Sequence, residues 1–181
     1  MQLITALLRG FQIISAAIVL GISISLARGQ FTDFSPVPAA TGYAAFCGGL
    51  GILVALIGVA SLFVIYLDGI ITWTLDGLSA LTMVASGIAY AVLLRDTSCD
   101  NGPSALTNDL TSGGCKSLGD TTFCWLSEDK AKSRCVAAKA GNALMFLSFF
   151  TCVAVVGYGF YLRRWGGLTG SGEKAATVTY A

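Results

Sequence analysis

The sequence predicts an all-α membrane protein: an antiparallel four-helix transmembrane bundle with a disulfide-stapled outer loop. Three observations carry this. Four apolar stretches cover about residues 8–27, 42–67, 69–94 and 137–162. Their central parts, Phe11–Leu26, Gly42–Leu67, Gly69–Leu94 and Ala140–Leu162, hold one charged side chain between them, Asp76. The loop between the third and fourth, residues 95–135, contains four of the six cysteines. A helix needs roughly 20 apolar residues to cross a bilayer core of about 30 Å. In lipid only helices and closed barrels satisfy every backbone polar group, and these stretches lack the alternation of barrel strands.

Composition bounds the function. Of 181 residues, 55% are hydrophobic and 12% charged, and the mean hydropathy is +0.74. Residues 1–165 read as one membrane domain and residues 166–181 as a flexible, glycine-rich cytosolic tail. A net charge of +1 without any basic block argues against nucleic acid as a partner. Histidine is absent, which removes the commonest general base and metal ligand. No phosphate-binding loop, zinc-protease motif or nucleophile elbow occurs. The C-x-x-C pair of membrane thiol oxidoreductases is missing too. The chain therefore reads as a non-enzyme without a cofactor.

The first span imitates a secretory signal, with Arg9, an apolar run and small residues near Ala27. Apolar character also extends over Leu3–Leu8, before Arg9, so a retained first helix is expected. Ala17, Gly21 and Ser25 recur every four positions along it. In the second span, Ala44 and Gly48 form one such pair and Gly51 and Ala55 another. Small residues at this spacing let helices approach closely, since packing drives association in lipid. Most of the pattern is expected to serve contacts within the bundle, with the remainder left for a homo-oligomer. The connection to the third span carries Asp68.

Asp76 lies early in the third span, roughly 10 Å in at 1.5 Å per residue. A carboxylate inside the membrane is costly and faces a partner or a water-filled cavity. One acid without an intramembrane base favours a buried polar link, reaching Gln12, Ser15, Tyr158 or Arg9 on neighbouring helices. The alternative makes Asp76 the proton or ion site of a small channel, a transporter or an accessory subunit. On the structural reading, Asp76→Asn leaves the protein folded and Asp76→Leu lowers its yield. Trp73, Trp125 and Trp165, with Tyr43, Tyr66, Tyr90 and Tyr161, read as anchors at the membrane interfaces.

Cys99, Cys115, Cys124 and Cys135 fall in the third loop, and Cys47 and Cys152 within spans. Four loop cysteines in an oxidising compartment read as disulfides. A zinc site would show C-x2–4-C knuckles, and the spacing here has none. Cys99 lies just beyond the end of the third span and Cys135 just before the fourth. Adjacent antiparallel helices pack about 8–10 Å apart, so a nested pairing, Cys99–Cys135 around Cys115–Cys124, is expected. Ser127 is a suitable N-cap before Glu128 and Asp129, so the fourth span should begin outside the membrane as one long helix. Arg9, Arg163, Arg164 and Lys174 place both termini in the cytosol by the positive-inside rule, with Arg28 in the first loop as the exception.

Further residues carry a family likeness. Leu75-Asp76, Leu94-Arg95, Ser98-Cys99 and Arg134-Cys135, then Phe146, Ser148 and Phe149, together with the short second connection and long third loop, resemble a fungal MARVEL-domain protein. The resemblance covers roughly residues 3–165 and lies close to the non-classical export protein two group. Claudins differ in their long first loop with two cysteines, tetraspanins in their Cys-Cys-Gly motif, and rotary ATPase proteolipids in lacking a long cysteine-bearing loop. The Cys115/Cys124 pair is an addition to the outer pair of the family. The resemblance implies a plasma-membrane organiser in eisosome-like domains, linked to sphingolipid response and unconventional export. Its implied partners are membrane lipids (sphingolipid or sterol) and other membrane-domain proteins.

Overall fold

The structure, a computed structural model, describes residues 2–30, 37–61, 70–100, 102–118, 121–124 and 126–169. Among the described residues, four helices are long and apolar enough to cross a membrane: α1 (Gln2–Arg28), α2 (Ala39–Ala60), α3 (Ile70–Leu93) and α5 (Glu128–Thr169). A short helix, α4 (Gly102–Leu106), and a hairpin, β1 (Cys115–Leu118) and β2 (Thr121–Cys124), lie between α3 and α5. Each long helix packs on two others, α1 on α2 and α5, and α3 on α2 and α5, which closes a four-membered ring.

The core runs along the ring's axis and includes Val19, Ala44, Cys47, Met83, Tyr90 and Met145. Large apolar side chains such as Ile14, Phe46, Leu53, Leu81, Val92 and Phe150 point outward. In water such a surface would be a liability; in lipid it is the solvated face. Contact between α1 and α2 is set by Gly48. A Cβ there would lie 2.9 Å from the backbone nitrogen of Leu20, closer than side chains tolerate. Gly51, one turn further on, lies between two neighbours, where a Cβ would meet Ala16 Cβ on α1 at 3.1 Å and Met83 Cε on α3 at 2.8 Å.

Helix α5 is a single element of 42 residues, about 63 Å long at 1.5 Å per residue. That is twice the apolar thickness of a bilayer. It starts directly after Ser127, with Glu128 and Asp129 in the first turn where the helix dipole favours acids. Its last residues, 166–169, continue the helix into what the composition reads as tail. Residues 170–181, the second connection with Asp68, and Trp125 lie outside the described residues.

The overhanging start of α5 carries the third loop. Cys99 is bonded to Cys135 with a Cα–Cα separation of 5.6 Å, which ties the end of α3 to α5. Cys115 is bonded to Cys124 across the hairpin, where the two residues face each other in the antiparallel register. The loop composition alone suggests no strand, yet a signal exists: Gly119-Asp120 separates two short runs and is a favoured two-residue hairpin turn. The chain enters β1 through Gly113 at φ 73°. A Cβ at Gly113 would also meet Leu126 at 2.3 Å, so both backbone and space require glycine. Ala105, Ala131 and Cys135 form a separate small core beneath the loop. Tyr90, expected as an interface anchor, is instead 1% exposed inside the bundle.

Candidate functional site

One cluster of buried polar residues lies toward the end of the bundle that carries the N-terminus of α1. Arg9, two turns into α1, and Asp76, two turns into α3, are 2% and 0% exposed. They form a bidentate ion pair: Arg9 Nη1 donates to Asp76 Oδ1, and Nη2 donates to Oδ2 at 2.5 Å. Such fork-to-fork pairing fixes geometry as well as charge. Gly58 on α2 makes room for the guanidinium, because a Cβ there would lie 2.4 Å from its central carbon. Of the four partners considered for Asp76, the structure selects Arg9.

Gln12 extends the cluster. Its side-chain oxygen accepts from Arg9 Nη1 at 3.2 Å, and its amide nitrogen donates to Cys152 Sγ on α5 at 3.0 Å. Ser148 Oγ donates to Ser15 Oγ at 2.9 Å, and Ser15 Oγ donates to the Gln12 carbonyl at 3.1 Å. Helix α1 is thereby joined to α3 by charge and to α5 by neutral hydrogen bonds. The carboxylate is neutralised inside the bundle, which fits a polar link between helices. Among the described residues, no group of three or more His, Cys, Asp or Glu side chains assembles into a metal site.

The small residues divide. Gly48, Gly51 and Ala55 are buried, Gly48 against α1 and Gly51 against α1 and α3. Ala17, Gly21 and Ser25 are exposed, and a Cβ built on Gly21 meets nothing within 4 Å. Contacts within the bundle therefore do not explain the stripe on α1. The reason is angular: Arg9, Gln12, Ala16, Val19 and Ser23 already form the inward face, and the stripe lies on roughly the opposite side of the 3.6-residue turn.

At the other end of the bundle, two side chains outside α1 and α3 cap those helices. Arg134 on α5 donates from Nη2 to the Leu26 carbonyl at 2.8 Å and reaches the Leu110 carbonyl at 3.4 Å. A Cβ at Gly29 would lie 1.9 Å from Arg134 Nη1, so the guanidinium fills the place of a side chain there. Asn108 Nδ2 donates to the Leu93 carbonyl at 2.6 Å and to Thr97 Oγ1 at 2.7 Å. The final carbonyls of a helix have no partner within it, and a cation is favoured beside them. Arg134 enters the sequence reading through its family likeness alone. Its structural cue was available, since a cation beside a cysteine tied to α3 must sit at the mouth of the bundle.

A ring of four membrane-length helices, apolar outside and polar along part of its axis, is the architecture of a multi-pass membrane protein with four spans. The chain belongs to the MARVEL family, whose model, described as a membrane-associating domain, matches residues 2–158 and so takes in α1, α2, α3 and most of α5. Neither a curated protein nor a solved structure matches the chain.

Proposed function

We propose that this protein is a non-enzymatic organiser of the plasma membrane, marking or shaping domains of lipid and protein. The carrying observation is that almost the whole chain is a membrane-associating domain whose large side chains face outward. Both termini lie in the cytosol in this reading, and the disulfide-stapled loop lies outside, where an oxidising environment sustains its bonds. The sequence resemblance adds an eisosome-like setting, a response to sphingolipid or sterol and a link to unconventional export. Self-association is part of the proposal. The exposed Ala17–Gly21–Ser25 face permits close helix approach, and repeated weak contacts raise avidity without one strong interface.

Super-resolution imaging of the tagged protein in fungal cells tests the role. The expected result is clustering in furrow-like patches that disperses when sphingolipid synthesis is inhibited. A uniform distribution unaffected by lipid depletion would count against it. The competing reading, a channel, transporter or accessory subunit using Asp76, meets a carboxylate already paired with Arg9. Proton flux in reconstituted vesicles that is abolished by Asp76→Asn would reverse the preference.

A further inference from the structure

Beside the ion pair the four helices leave a cavity of about 10 Å³. Its walls include Gln12 from α1, Gly51 from α2, Ser79 and Met83 from α3, and Ser148 and Cys152 from α5. Gln12, Ser79, Ser148 and Cys152 are each 5% exposed or less, so four polar side chains converge where lipid surrounds the bundle. A cavity holds one water when its volume reaches roughly 10–15 Å³ and two to four polar partners line it, whereas apolar cavities stay dry. The volume here stands at that threshold and the partners are present.

We propose that this cavity is a binding site for a single structural water, held within the membrane by Gln12, Ser79, Ser148 and Cys152. Each of these side chains retains hydrogen-bonding capacity beyond its protein contacts. A hydroxyl accepts two bonds as well as donating one, and the thiol sulfur is a weak acceptor. The water ties α3 to α5 in the middle of the ring, beside the ion pair that joins α1 to α3. Gln12 links it to the ion pair, because the same amide that borders the cavity accepts from Arg9. Glycine at position 51 keeps the site open, since a Cβ there would crowd Met83 Cε and Ala16.

Radiolytic labelling of the protein in native-lipid particles tests this. X-ray pulses split bound water into a hydroxyl radical and a hydrogen atom; the hydroxyl radical adds to the nearest sulfur before it diffuses away, and dissolved oxygen takes the remaining hydrogen atom from the adduct to leave the oxidised sulfur. Met83 borders the cavity, and Met145 does not, although both are 1% exposed. Met83 and Cys152 are expected to oxidise several-fold faster than Met145, with oxygen that exchanges slowly when the bulk is switched to 18O-water. Equal rates at Met83 and Met145 would overturn the site without any variant. The double variant Ser79→Ala and Ser148→Ala, which removes two polar partners and retains the space, should bring Met83 down to the Met145 rate. Undiminished labelling in that variant would show that these hydroxyls do not hold the water and would equally overturn the proposal.

Discussion

Arg9 and Asp76 illustrate what a single pair of side chains does in lipid. Breaking a buried ion pair by removing one partner costs about 3–5 kcal/mol, because the remaining charge stays buried. The structure therefore sharpens the sequence-based expectation for Asp76→Asn: the amide keeps the shape but leaves Arg9 uncompensated. Both Asp76→Asn and Asp76→Leu should lower the unfolding midpoint in detergent. The double variant Arg9→Met with Asp76→Leu should recover most of the loss, as apolar replacements of buried pairs commonly do. A double variant less stable than either single variant would exclude the structural role. Asp76 was legible from the sequence as costly, but its partner was not. Arg9 reads equally well as the charged end of a signal-like segment, and four residues stood as candidates until the helices were placed.

At the scale of elements, two glycines on facing helices predict opposite phenotypes. Gly48 meets the Leu20 backbone, so Gly48→Leu must push α1 and α2 apart, with a loss well above the usual overpacking cost of about 1–3 kcal/mol. Gly21 has open space, so Gly21→Leu should leave folding intact and weaken self-association alone. Fluorescence-detected size exclusion reads the first effect, and crosslinking across protein-to-lipid ratios reads the second. A monomer at every ratio for the unaltered chain would remove the oligomer from the proposal. Arg134→Met should lower stability by about 1.5–3 kcal/mol, the worth of a hydrogen bond to a charged group, and Arg134→Lys should restore only part of it. Thermal unfolding of the three forms checks this. The spacing of small residues was visible in the sequence for both helices. Which side faced inward was not, because α1 offers two faces that can pack in lipid, the small residues Ala17, Gly21 and Ser25 and the polar residues Arg9, Gln12 and Ser15.

Across the whole molecule, the spans were readable because bilayer thickness and backbone hydrogen bonding leave few alternatives for long apolar stretches. The nested cysteine pairing followed from the positions of Cys99 and Cys135 at adjacent helix ends, and the same bonds appear in the structure. The hairpin was harder to read, since two short runs around Gly119-Asp120 carry little apolar periodicity. Orientation is open to direct test: Ser104→Cys should react with an impermeant reagent on intact cells and Ser171→Cys should not. External labelling of Ser171→Cys would invert the proposed topology.

The Cys99–Cys135 bond has a mechanical corollary. It joins Cys99, in the segment that follows α3, to α5 near the outer end of a rod about 63 Å long. A covalent link at that level restricts sliding of α5 as a piston against α3, so a displacement of α5 is directed into tilt shared with the helices it packs against, α1 and α3. The bond is a fulcrum. A push on the outer loop would travel through the bilayer as a change of tilt, with the far end of α5 moving sideways in the opposite sense. Curvature or thickness of the surrounding lipid would act on the same lever from within.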